Sequence, residues 1–229
     1  MTLEAPVPFP EKNASIVRKA ARLTLHNDAL DALDLVRDMI GHPNNVQRAV
    51  DSWGEAVRVM NESYENISRA HSQVLAQWSG GASASFSTFA GDAKLAVSSN
   101  VAAFQGAITA TNQMYLAVIA AYKTATRFIT NCAQDILNLG GGLLGDWKAV
   151  LAVAAAGPTD GASLALIMNH FTDLLSSFAG HVNDLIDGAV DITAGYNSAL
   201  GEVVKNINAI KPVPGPVPAM ADLNIWKPA

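Results

Sequence analysis

From Val46 to Trp78 the sequence repeats one spacing without a miss. Val46, Val50, Trp53, Val57, Met60, Tyr64, Ile67, His71, Val74 and Trp78 follow one another at alternating steps of four and three. Only His71 interrupts the apolar character. A period of about 3.5 residues is incompatible with a strand and fits an α-helix packed along a narrow seam against a neighbour. At the usual rise this stretch predicts a helix of about 50 Å. A helix of that kind leaves its apolar stripe in water unless other helices cover it, so the rest of the chain has to supply them.

It does so twice more. After Trp78 come Ser79, Gly80 and Gly81, which a helix does not cross comfortably. A second seam then runs through Phe86, Ala90, Ala93, Val97, Asn100, Phe104, Ile108, Thr111, Tyr115, Val118, Tyr122, Ala125, Ile129, Cys132 and Ile136. One extra four-residue step, from Phe104 to Ile108, predicts a local change in supercoil. Gly140, Gly141 and Gly142 end it. A third seam passes from Leu164 through Phe171, Phe178, Leu185, Ile192 and Val203 to Ile210, with Thr159 or Asp160 available as its cap.

The flanks read differently. Residues 1–12 are Pro-rich and expected to be extended, and 13–40 read as a single shorter helix starting near Asn13 or Ser15. That helix ends at Gly41-His42-Pro43, where a glycine is followed by a proline that cannot continue it. Residues 211–229 hold half of the ten prolines and read as an extended tail. The expected fold is all-α: an elongated antiparallel bundle built on a long helix–turn–helix hairpin, with three long helices and a shorter N-terminal one. Within a single bundle at 13–210, the hairpin occupies 45–138, a connector 139–158 and the last long helix 159–210.

Half of the 229 residues are apolar and the net charge is −5, with acids and bases interspersed. No run of Lys or Arg is present to neutralise phosphates, which speaks against nucleic acid as a partner. Cys132 is the only cysteine and sits at a seam position, so it reads as a packed thiol and not as part of a disulfide or metal cage. His170, Asp173, His181 and Asp184 share one helical azimuth. The two pairs stand about 16 Å apart along the axis, too far for one ion, and they read as polar flanks of the seam at Phe171 and Val182. The serines after Trp78 lie in no Gly-x-Ser-x-Gly elbow, and Gly140–Gly142 lacks the Lys and Thr of a phosphate loop. We therefore expect no enzyme activity, no metal and no cofactor.

From about Val46 to Asp135 the chain resembles the WXG superfamily, the helical-hairpin proteins of type VII secretion. The resemblance lies in Trp78-Ser79-Gly80 between two long seam-bearing helices, with small residues and then Phe86 after the turn. It covers about two fifths of the chain. Larger members carry extra helices, including proteins secreted by actinobacteria, and the Ala-rich composition suits such a source. The resemblance implies a helical protein partner or a homodimer, contact with the secretion machinery, and a secreted or envelope-associated location reached without a conventional signal peptide. It also implies that Trp78 closes the hairpin core while Gly80 frees the backbone of the turn. Core or interface anchors would be Trp53, Tyr64, Phe104, Tyr115 and Tyr122. The family's Tyr-x-x-x-Asp/Glu export signal is incomplete here, since Thr126 stands four residues after Tyr122. This leaves export alongside a signal-bearing partner, or a cytoplasmic protein. A second reading is a membrane-active helical protein using the apolar stretch from Leu143 to Gly157, with Leu143, Leu144 and Trp147 as the contacting residues. No apolar run in the chain reaches the roughly 20 residues of a membrane span.

Overall fold

The structure, a computed structural model, describes residues 5–139, 161–210, 215 and 218–229. The connector expected at 139–158, with Leu143, Leu144 and Trp147, lies beyond Leu139 and outside the described residues. The chain is an all-α helical bundle. Among the described residues its elements are α1 (Glu11–Leu23), α2 (Asn27–Asp38), α3 (Pro43–Gln77), β1 (Trp78–Ser79), α4 (Gly80–Leu139), α5 (Gly161–Ala209), the single turn α6 (Pro218–Ala221), a 3-10 turn (Leu223–Ile225) and β2 (Lys227–Pro228).

The expected single helix at 13–40 is two helices. α1 begins at Glu11, directly after Pro10, with the acid in its first turn where the helix dipole favours it. It ends where the Thr24 hydroxyl donates to the Ala20 carbonyl at 3.0 Å and Leu25 turns left-handed at φ 54°. His26 then starts α2, its Nδ1 accepting from the Ala29 backbone N–H at 3.3 Å. No glycine or proline announces this break. Leu25 is 83% exposed, so its side chain contributes no packing that would offset the strain of a non-glycine residue at positive φ. Gly41, at φ 55°, ends the next connection, and Pro43 opens α3 at the position where its missing N–H has no helical partner to lose.

The chain divides into two compact units. The core unit comprises Glu4–Pro43 and Tyr115–Thr193, and the hairpin unit comprises Asn44–Met114 and Ala194–Ala229. α4 and α5 each contribute to both. In the core unit α1 and α2 are antiparallel neighbours. Arg37 grips Glu11 at 2.8 Å and lies 4.9 Å over the Phe9 ring, while Arg18 approaches Asp34 at 3.8 Å. The centre of this unit is one cluster in which Val17, Leu33, Val36, Ile129, Ile136, Phe171, Leu175 and Val182 are all fully buried. Asn13 reaches Thr130 on α4 at 3.2 Å, and His26 meets the Ser176 hydroxyl on α5 at 2.8 Å. Because Nδ1 of His26 is already an acceptor, its proton sits on Nε2, which donates to Ser176.

In the hairpin unit α4 meets α5 through small and polar groups. A Cβ on Gly106 would lie 3.4 Å from Val203, and the Thr111 and Tyr196 hydroxyls are 3.3 Å apart. The pairing descends along α5 as it ascends along α4, which makes the two segments antiparallel.

Candidate interaction surface

α3 and α4 form the hairpin, and a polar contact joins them near the turn. His71 Nε2 is 2.8 Å from the Ser87 hydroxyl, and its ring lies 6.3 Å from that of Phe86, tilted by 50°. The serines after the turn satisfy backbone carbonyls: Ser83 donates to Trp78 at 3.0 Å and Ser85 to Gly81 at 3.0 Å. Hydroxyls bonded to carbonyls of their own preceding turn are local side-chain to backbone contacts.

What α4 buries here is small. Among the described residues of the hairpin unit the buried set is Val50, Ala82, Ser83, Ala90, Ala93, Ala103, Ala107 and Thr111. The larger seam side chains are less covered. Trp53, Phe86 and Phe104 are half-buried, and Tyr64 is 40% exposed. Tyr115 and Tyr122 lie in the core unit and are buried. Burial, and then the Glu11 carboxylate, push the Tyr122 hydroxyl above its usual range. Thr126, four residues after Tyr122, is buried as well. The opposite face of α3 is charged: Arg58 bridges Glu55 at 2.6 Å and also binds Glu62. The Arg58 hydrogen bond holds the Glu55 carboxyl below the usual carboxylate range, but a solvated pair of this kind adds little to stability.

Two expectations for the hairpin need correction. Trp78 does not close the core; it is 40% exposed and sets its indole edge-on against Trp226, with centroids 5.9 Å apart and planes at 82°. The segment expected to be an extended tail folds back at its far end. Trp78 pairs with Pro228 and Ser79 with Lys227 in an antiparallel register. The Ser79 hydroxyl donates to the carbonyls of Lys227 and Pro228 at 3.3 and 3.1 Å. The Ala229 N–H donates to the Gln77 carbonyl at 3.1 Å, giving a partner to one of the carbonyls that end α3. Gly80 has φ 86°, and a Cβ there would come within 3.2 Å of the Ile225 carbonyl. Glycine is thus required for both the turn and the close approach. Trp226 escaped the periodicity argument because its partner stands 148 positions away. The one available signal was a lone tryptophan in a proline-rich stretch.

In the core unit a cleft of about 510 Å3 is lined by Asp135, Asn138 and Leu139 of α4 and by His170, Asp173 and Leu174 of α5. His181 is elsewhere, stacked on Phe128 at 5.1 Å. Among the described residues no three His, Cys, Asp or Glu side chains converge on a position where an ion could sit. Cys132 is buried, and that burial, aided by the Asp135 charge, pushes its thiol up to about 12. A thiol held protonated in this way is a poor nucleophile at neutral pH. No helix among the described residues is long and apolar enough to cross a membrane.

The class that fold and surface define is an all-α bundle with a partly uncovered helical hairpin. Compared with known protein families, curated proteins and solved structures, the chain matches none.

Proposed function

We propose that the chain is a non-enzymatic interaction protein that works by helix-on-helix association, as a substrate of type VII secretion or as the pairing partner of one. The observation that carries the reading is the incomplete burial of the α3 seam. Tyr64 at 40% exposure and the half-buried Trp53 lie on the stripe that faces α4, and Val59 and Leu75 leave the same helix 47% and 45% exposed. Aromatic residues already half-desolvated are the kind that dominate interface energetics once a partner completes their burial. The Trp-x-Gly turn between long seam helices supports the alliance with the WXG superfamily, and a partner carrying the missing export signal follows from it.

Light scattering on the purified chain, alone and after co-expression with the products of adjacent genes, tests the association. The expected result is a homodimer or a one-to-one complex with a second helical protein. Secretion from the native host should stop when the system's ATPase is deleted. A strict monomer, retained in the cytosol and indifferent to that deletion, overturns the reading.

A further inference from the structure

Segment 218–229 is held at the hairpin turn by a compact set of specific contacts. Two residues pair as strand, two backbone groups at the end of α3 and of the segment bond to each other, and one hydroxyl serves two carbonyls. Trp78 and Trp226 meet edge-on beside them, and a Cβ on Gly80 would lie 3.2 Å from the Ile225 carbonyl. The segment also braces itself. Trp226 Nε1 donates to the Met220 carbonyl at 3.1 Å, and Asp222 accepts from the Asn224 N–H at 3.0 Å. The turn therefore presents a receiving edge with its own side-chain selectivity, and the segment presents a preformed ligand. Trp78, Ser79 and Lys227 nonetheless remain exposed to solvent, so little buried area holds the two together.

We propose that the Trp78–Ser79 edge, with Gly80, is a receptor for a short extended segment of the type Trp-Lys-Pro-Ala, filled in this chain by residues 226–229 and open to the same residues of a second copy. The mode is strand addition to an edge, where main-chain bonds supply affinity and the exposed Trp78 ring supplies selectivity. The occupant in trans is a second copy because the ligand that the edge is built around is the chain's own sequence, and exchange of an identical element needs no new contact. In cis the segment enjoys an effective concentration on the order of millimolar, so it wins at ordinary protein concentration. Exchange becomes visible when the cis pair is broken. The inference involves only residues 77–80 and 218–229 and is separate from the helix-on-helix association above.

Two full-length variants test it by complementation. Trp78→Ala keeps the segment and loses the receptor, whereas Trp226→Ala keeps the receptor and loses the ligand. The wild type should show the exciton couplet that a close indole pair gives in far-ultraviolet circular dichroism, and each variant alone should lack it. Mixed at equal concentration, the variants should regain the couplet together with a one-to-one complex. A labelled peptide of residues 218–229 should bind Trp226→Ala about tenfold or more tighter than wild type, whose own segment competes. It should not bind a chain carrying both substitutions. If the mixture is only the sum of its parts, or the peptide binds wild type and Trp226→Ala alike, the proposal is overturned. Helix-on-helix dimers would instead raise the mass of each variant alone without restoring the couplet, so the two ideas fail separately. Unchanged helix content in both variants shows that a negative result does not come from unfolding.

Discussion

Tyr64 and Tyr122 occupy equivalent places on two seams of one chain, yet one is 40% exposed and the other 2%. The difference belongs to the units around them. In the core unit α1, α2, α4 and α5 surround a cluster of branched and aromatic side chains that are fully buried. In the hairpin unit the buried residues of α4 are alanines with a serine and a threonine, and polar pairs such as His71–Ser87 and Thr111–Tyr196 sit where a core would be dry. Apolar burial stabilises by about 25 cal/mol per Å2, so small side chains return little for the helix they order. One region is built to stand on its own packing. The other keeps its large side chains half in solvent.

The sharpest way to break this contrast is a cavity in the core unit. Phe171 is 1% exposed at the centre of the cluster. Phe171→Ala should cost about 3–5 kcal/mol, through lost transfer energy and an unfilled cavity. Against a total stability of about 5–15 kcal/mol this is a large share. Urea unfolding followed by circular dichroism should show the midpoint falling with little change in slope. A drop below about 1 kcal/mol would mean that the cluster is not the dominant core.

The thiol inside the same cluster gives a chemical probe. Cys132 is raised from 9.0 to about 12 by burial and by Asp135. At pH 8 its thiolate fraction is then far smaller than that of an unperturbed thiol, and even with the greater nucleophilicity of a high-pKa thiolate, alkylation in the folded state should be slower by roughly thirtyfold or more. The folded chain keeps this proton longer than the unfolded one. The native state therefore binds more protons between about pH 9 and about pH 12, and stability should fall as pH rises through that window. Cys132→Ala should remove that part of the slope. Alkylation at the rate of a free thiol in native buffer would show that the core unit is as open as the hairpin unit.

These contrasts also mark what was legible in the sequence. The seams named the helices and the faces they bury, because period and azimuth are local properties. They did not reveal how many helices cover each face, which is why Tyr64 and Tyr122 looked alike. The break at Leu25 and His26 was hidden because it uses a left-handed leucine and a histidine cap instead of the glycine and serine that usually mark such a place. The Trp78–Trp226 pair was hidden because strand pairing between distant residues leaves no periodic trace. The residues of the hairpin surface were individually visible, but their partial exposure was not.

The next test concerns that break. His26→Ala should cost about 1 kcal/mol, the usual worth of an N-cap, and it also removes the bond to Ser176. His26→Asn should recover most of the capping term, since Asn is among the preferred caps, without restoring the reach to α5. Thermal unfolding of the three chains separates the two contributions. If His26→Ala and His26→Asn lose equally, the cap is irrelevant and the Ser176 contact is what matters.

The smallest effect should come from the hairpin seam, and it bears most directly on function. Tyr64 lies on the stripe facing α4 but is 40% exposed. For an isolated chain Tyr64→Ala should change stability by about 0.5 kcal/mol or less, as at other surface positions. If a helix from a partner completes the burial of this seam, the same substitution should weaken association by about 2 kcal/mol or more, the range of an interface anchor. Measuring both quantities on one variant turns the comparison into a ratio. A large loss of monomer stability would make the hairpin unit a second closed core, and a small loss in both would leave Tyr64 outside any interface.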